Sequence, residues 1–561
     1  MNRFAARKAA RARPATGFVS QPEPRTIGSF NKGRQLMSGN ILLAGTLVEA
    51  QDTVLWDISP PNDEFQDAMH GFGWFDDLAA VGDLKARQIG QTWVDGWIDR
   101  YGNGSGPGWT PDLTGRRLIR WIHHALLILR GREKNESELF YRSLAQQTLF
   151  LSRRWRHTSP GLPRFEALTG LLYAGLSLEG MEAQVAPAAQ ALARECEAHI
   201  DDAGGLPTRN PEELLEVFTL LTWAASALAE TGRMAEATHL AAIERIAPTL
   251  RSLRHSDGSL ARFHGGGRGL QGRLDQALVS SGVKSGPSDD IVMGYARMTG
   301  GRTSVVVDVA APPTKDASRH AHASTLAFEM TSGRRAFVVN CGAGEAFGPD
   351  WAKAGRATQS HSTVIVDGTS SSRLDESTLE FTQRPASVTM ERRATLDVTS
   401  LDLAHDGYRE THGLTHVRQM ELSQDGRHLS VSDMLATLTD ADKRLFEKRF
   451  DQLSLQGIPF SIRVHLHPDV DAALDMGGTA VSLALKSGEI WVLRHESKAS
   501  LRLEPSVYLE KGRLQPRASS QIVLESRVMP YAARVQWSLA KAQDTPNSIR
   551  DLERDDPLSQ K

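Results

Sequence analysis

Through the first half of the chain, apolar residues recur every three or four positions. Val185, Ala188, Leu192 and Cys196 follow this spacing, as do Leu214, Val217, Phe218, Leu221 and Leu228. Leu240, Ile243, Ile246, Leu250 and Leu253 repeat it, and Leu118, Ile119, Ile122 and Ala125, with Leu168, Leu171, Leu172 and Gly175, do so earlier. A period near 3.6 puts each set on one helix face, and the short polar or Gly-rich breaks between sets predict a succession of antiparallel helix pairs. Near residue 265 the period becomes two. Leu326, Phe328 and Met330 alternate with other residues, a turn falls at Ser332-Gly333, and Phe337 and Val339 return. Met420 and Leu422 lead through Asp425-Gly426 to Leu429 and Val431, and Phe460, Ile462, Val464 and Leu466 alternate with polar residues. Alternation without intervening helices predicts antiparallel strands closing into a sandwich. The chain thus reads as a multidomain α + β protein: a helical domain over 36–265, a Gly- and Ser-rich linker over 266–289 and an antiparallel β-sandwich over 290–540. Before these lies a basic stretch, 1–35, with Arg3, Arg7, Lys8, Arg11 and Arg13, which reads as a flexible tail; a polar tail, 541–561, follows.

Composition narrows the function. A chain of 561 residues is long enough for two to four domains, and 40% hydrophobic with 24% charged residues suits a globular protein. Lys plus Arg is 65 and Asp plus Glu 67, a net charge of −2, which argues against a nucleic-acid partner held by bulk positive charge. Two cysteines, Cys196 and Cys341, cannot build a disulfide framework or a zinc finger. No apolar run is long enough for a transmembrane helix, and the basic start lacks the apolar core of a secretory signal.

The chemistry concentrates between Arg319 and Arg373. His320-Ala-His322 is followed by Leu326-Ala-Phe328-Glu329, by Val338-Val339-Asn340-Cys-Gly342, and by Ser360-His361-Ser-Thr363 running to Asp367-Gly368. With His405-Asp406-Gly407-Tyr408, His465-Leu-His467-Pro468 and, upstream, Trp56-Asp57, His70-Gly71-Phe72 and Arg116-Arg117, this order resembles the heparinase II/III-like polysaccharide lyases over roughly residues 35 to 540. The resemblance implies an incomplete α/α toroid before the sandwich and an acidic, uronate-containing polysaccharide or oligosaccharide as partner. It also implies cleavage by β-elimination. Members of the family are usually periplasmic; the absence of a visible signal leaves the cytoplasm open.

β-Elimination needs a group that neutralises the uronate carboxylate, a base for the C5 proton and an acid for the departing oxygen. By resemblance, His320 occupies the position of the sandwich-side catalytic histidine, and His322, Asn340 and His361 occupy a metal site. Asn340 stands there in place of Asp, so any Zn²⁺ would bind weakly and structurally; the same three residues could equally form a hydrogen-bonded polar cluster. Ser324 replaces another Asp. The toroid departs further: Gly161-Leu162-Pro163-Arg164 replaces the usual amide and imidazole, and Glu213 sits about where a catalytic Tyr is expected.

Arg209 is the candidate for clamping the carboxylate, with Arg164 second, and Tyr408 is the candidate phenol, with Tyr295 second. Asn210, Pro211 and Glu213 also read simply as a helix start with a capping box. If the candidates act together, His320 and Arg209 face each other across the cleft, about 6–10 Å apart. The alternative is a non-catalytic glycan-binding relative that kept the fold. A glycoside hydrolase would need an opposed carboxylate pair, and none is evident.

Overall fold

The computed structural model describes residues 1–11, 15–375 and 380–542. Helices run almost without interruption from Asp63 to Ser281, and long ones such as Leu84–Tyr101, Pro111–His123, Lys134–Arg154, Leu162–Ser177, Val185–His199, Pro211–Glu230 and Ala237–Ser252 form an incomplete α/α toroid. Leu162–Ser177 is the hub. It is buried along nearly its whole length and packs against Pro111–His123, Val185–His199 and Pro211–Glu230. Two glycines allow the first of these crossings. A Cβ on Gly170 would lie 2.5 Å from the Cα of Gly115, and one on Gly115 would lie 2.3 Å from the carbonyl oxygen of Glu166.

Three expectations for this half are corrected. Within the described part of the segment 1–35, the expected loose tail is replaced at its start by a helix, Asn2–Ala9, that buries Ala6 and Ala9 against Lys134–Arg154, where the Gln146 amide donates to the Ala6 carbonyl. Farther along, the Val19 N–H donates to the Ser177 carbonyl. Small alanines supply the docking face, and a scan weighted to charge and proline misses it. Second, a hairpin, Asn40–Leu43 with Thr46–Glu49, interrupts the helices at Ala44-Gly45, both in the left-handed region. Third, the stretch read as a linker, 266–289, contains the helix Arg273–Ser281, which buries Leu274, Ala277 and Leu278 at helical spacing.

The second half is a sandwich of two sheets in which every described pairing is antiparallel. One sheet orders Val388–Ala394, Val398–Tyr408, Leu414–Ser423, His428–Ala436, Ala532–Lys541, Ile490–His495, Ala480–Ala484 and Asp471–Asp475. The other orders Ser500–Tyr508, Arg517–Val528, Ile458–Leu466, Arg335–Val339, Phe328–Ser332, Thr303–Asp308 and Tyr295–Gly300, with Val364–Val366 beside Ile458–Leu466. The two hairpins expected from alternation are present. The first turns one residue later than expected, pairing Ser332 with Arg335, and the second pairs Leu422 with Leu429. Aromatic pairs such as Phe337 with Trp491 and Phe328 with Trp537 fill the space between the sheets. Of the polar tail expected at 541–561, only 541 and 542 fall within the described residues. No helix among the described residues is long and apolar enough to cross a membrane.

Candidate functional site at the domain junction

The toroid meets the sandwich where the loop 203–210, the start of Pro211–Glu230 and the loop 261–269 approach the segments 308–325 and 340–361. Three layers can be distinguished there: a buried ion pair, a run of imidazoles and an open face.

The ion pair uses Arg209. Its backbone is in the left-handed region, with φ of 53°, which sends the side chain into the sandwich. The guanidinium donates to the Met293, Ala311 and Gly294 carbonyls at 2.8–3.0 Å and to Asp308 Oδ1 at 2.5 Å. It lies over the Tyr295 ring, whose hydroxyl donates back to the Arg209 carbonyl. Gly294 makes room, since a Cβ there would be 2.5 Å from Arg209 Nε. Asp308 also accepts from the Ser324 hydroxyl at 2.6 Å. Burial favours its neutral form, yet Arg209, His264 and Ser324 hold its carboxyl well below the usual carboxylate range. Arg209 is therefore spent on joining the domains. The expectation that it faces a sugar opposite His320 is corrected, because every nitrogen of the guanidinium already has a protein acceptor.

Behind this pair run the imidazoles. The His322 backbone N–H donates to His264 Nδ1 at 3.0 Å, so the remaining proton of a neutral His264 is on Nε2, which faces Asp308 Oδ2 at 3.5 Å. His361 Nδ1 lies 2.8 Å from the Ala357 carbonyl, an acceptor only, and so carries the proton. His361 Nε2 then accepts from His322 Nδ1 at 3.0 Å, which leaves His322 Nε2 as a bare lone pair, buried and without a hydrogen-bond partner. Burial keeps all three rings neutral, pulling His361 down to about 3 and His322 well below its ordinary value, with His264 lowered as well.

Asn340 does not join them. Its Oδ1 accepts the Ser362 N–H and its Nδ2 donates to Glu329. The expected polar cluster thus holds for the two histidines, while the amide belongs to a neighbouring network. One lone pair on His322 is all that this set offers a metal, which does not fit a zinc shell of three protein ligands. Among the described residues no group of three or more His, Cys, Asp or Glu side chains is arranged to hold an ion.

The open face carries His320. Its ring is 58% exposed and its Nδ1 lies 3.2 Å from Glu345 Oε1. Against the cost of burial, that contact holds the Glu345 carboxyl below its usual range. From the toroid comes Glu213. Asn210 caps the helix by accepting the Glu212 and Glu213 N–H groups, as expected, but the capping box is not completed. The Glu213 carboxylate instead lies among Thr208, His320, Lys511 and the Leu162 amide. Burial pushes it up in spite of those neighbours. Lys511 is bonded to Glu212 at 2.5 Å. Three carboxylates, Glu212, Glu213 and Glu345, therefore surround one lysine and one imidazole.

Tyr408 is not on this face. It is fully buried in the sandwich core, its hydroxyl donates to the Val364 carbonyl at 2.7 Å, and burial raises it far above the ordinary phenol value. Its assignment as a catalytic phenol is corrected on that geometry. Arg164, the second candidate clamp, pairs with Glu195 at 3.3 Å. Sequence reasoning missed His264, Asp308, Glu345 and Lys511. Only Asp308 left a trace, as a charge ending the apolar run Val305-Val306-Val307.

Comparison with known proteins adds three findings. Residues 288–538 match the family described as "Heparinase II/III-like, C-terminal". The chain is 29% identical over 548 residues to FtsZ-localized protein C of Caulobacter vibrioides, covering 94% of this chain and 91% of that protein. Among solved structures, heparinase III is similar with a TM-score of 0.70 at 13% identity, over 96% of this chain and 89% of that one. The heparan sulfate lyase HepC from Pedobacter heparinus is similar with a TM-score of 0.57 at 13% identity, over 97% and 88%. The structural likeness is one of fold.

Proposed function

The C-terminal half of this chain is a heparinase II/III-like domain, and from that premise we propose that the protein binds an acidic glycan at the junction of its two domains without cleaving it. The single observation that carries this reading is the Arg209–Asp308 pair. β-Elimination begins by neutralising the uronate carboxylate, which makes the C5 proton removable. The candidate clamp is enclosed and already neutralised, and the position expected to hold a phenol presents Glu213. A carboxylate there repels a uronate when ionised.

Incubation with heparan sulfate, alginate and hyaluronan should give no rise in absorbance near 232 nm, where a C4–C5 double bond absorbs, while at least one of these glycans binds in a direct titration. Accumulation of unsaturated product overturns the non-catalytic part, and absence of binding by every uronate overturns the glycan part.

A second reading rests on His320. An exposed imidazole oriented by a carboxylate is suited to serve as a base, so the chain would be a lyase acting on a uronate-containing glycan by β-elimination. Product that disappears with His320→Ala, by roughly 10²-fold or more, would establish it. The similarity to FtsZ-localized protein C spans nearly the whole chain and supports action at the division site. A fluorescent fusion should then follow FtsZ, and a uniform distribution would count against that placement.

A further inference from the structure

The first sheet of the sandwich ends on Val388–Ala394, which pairs with Val398–Tyr408 on one side only. An edge strand presents a row of backbone donors and acceptors, and most chains blunt it with proline, a bulge or short length. Two other edges here follow that rule: Ser500–Tyr508 carries Pro505, and Asp471–Asp475 has five residues. Val388–Ala394 has seven, with neither proline nor a shift of register. The pairing fixes which groups face out. The Thr395 N–H donates to the Val398 carbonyl and the Asp406 N–H to the Ser387 carbonyl, so the odd-numbered residues bond inward. Val388, Met390, Arg392 and Ala394 therefore turn their N–H and C=O groups away from the sheet, where no backbone partner meets them among the described residues.

Two side chains beside this edge lack the partner their chemistry calls for. Glu391, on the exposed face, lies directly opposite Asp402, and the cation nearby, Arg393, is paired with Asp402. Like charges directly opposite each other are unfavourable, so Glu391 is short of a cation. Leu396, in the turn after the strand, is 96% exposed, more than any other large apolar side chain among the described residues.

We propose that Val388–Ala394 pairs antiparallel with the same strand of a second copy of this chain, forming a symmetric dimer with one continuous sheet. A two-fold axis normal to the sheet keeps each face on its own side. Centring that axis on Glu391 or on Arg393 sets the residue against its own copy on the exposed face. Centring it on Arg392 sets Glu391 opposite Arg393 of the second copy, twice over by symmetry. It also brings the outward groups into bonding pairs, Arg392 with its own copy and Met390 with Ala394 on either side. Asp289 already holds each Arg392 guanidinium, which tempers the meeting of the two at the axis. The same register lays Leu396 opposite Val388 of the second copy and so covers both exposed leucines.

Sedimentation velocity of the full chain tests this. It should show a reversible monomer–dimer equilibrium that shifts with concentration, and amide hydrogen exchange over 388–396 should slow as the dimer fills. Glu391→Arg should weaken the dimer by about tenfold or more, because two unlike pairs become like. Glu391→Arg combined with Arg393→Glu reverses both signs and should restore it. Ala394→Pro removes an outward N–H at an exposed position, and Leu396→Ser removes the apolar contact. Both should weaken the dimer while the monomer melts as wild type does, which keeps the test decisive if a charge variant fails to fold. A wild type that stays monomeric at every concentration overturns the proposal, whatever other strand the edge accepts. A dimer indifferent to Glu391→Arg, Ala394→Pro and Leu396→Ser overturns this edge as its interface. A double charge variant no tighter than Glu391→Arg overturns the register centred on Arg392.

Discussion

Arg209 shows how one residue can satisfy a pattern and serve another purpose. From the sequence it is a cation beside a helix start, and so a plausible clamp for a carboxylate. What Asp308 lies next to depends on a contact 99 residues away, which no local pattern encodes. The structure predicts a test at this scale. Asp308→Asn leaves a guanidinium buried at the domain interface without its counter-charge, and should cost about 3–5 kcal/mol of stability. Arg209→Met combined with Asp308→Leu should recover most of that loss, because an apolar pair removes both desolvation penalties. Urea unfolding of the single and the double variant measures this, and a double variant no more stable than Asp308→Asn would show that the two residues do not act as a pair. Tyr408→Phe should cost about 1 kcal/mol, the value of a single buried hydrogen bond. It should leave glycan binding unchanged in the same titrations, whereas weakened binding would return Tyr408 to the site.

At the scale of elements, periodicity is informative because burial on one face imposes it. The buried positions of Pro211–Glu230 include Leu214, Val217, Phe218, Leu221 and Leu228, as the spacing predicts, and the alternation in Ile458–Leu466 buries Phe460, Ile462, Val464 and Leu466. Elements whose buried face is made of alanine or glycine escape such a scan, which is why Asn2–Ala9 looks like a tail. The crossing of Pro111–His123 with Leu162–Ser177 is a related case, since it depends on what Gly115 and Gly170 lack. Gly170→Ala should force these helices apart and cost about 1–3 kcal/mol or more, as overpacking does. Replacing Gly286, where no neighbour lies within 4 Å and the backbone is not in the left-handed region, serves as the control. Equal melting temperatures for the two variants would refute the close-packing account.

For the whole molecule, buried neutral histidines set the acid limit. Burial lowers His70, His123 and His361 to about 3, and His239 and His465 to about 4. Below the ordinary value near 6.5 the unfolded chain binds protons that the folded chain refuses. Stability from these groups is therefore fully present above about pH 6.5 and declines as pH falls toward 3–4, at up to about 1.4 kcal/mol per pH unit for each group. Asp308 and Asp433, both held low by arginine, add a loss of stability only below about pH 4. Melting temperature should thus drop between pH 7 and pH 5, before the carboxylates titrate. A flat profile across that window would contradict neutral burial of the histidines.

Both domains, their order and the antiparallel character of the second are determined by the sequence, because local spacing decides which face an element buries. The tertiary structure alone decided which polar residues remain available. Arg209 and Tyr408 are consumed inside, Asn340 is turned to Glu329 and Ser362, and Glu213, Glu345 and Lys511 from three separate segments gather around His320. Availability depends on the partner each group meets in the folded chain, and those partners lie tens to hundreds of residues away.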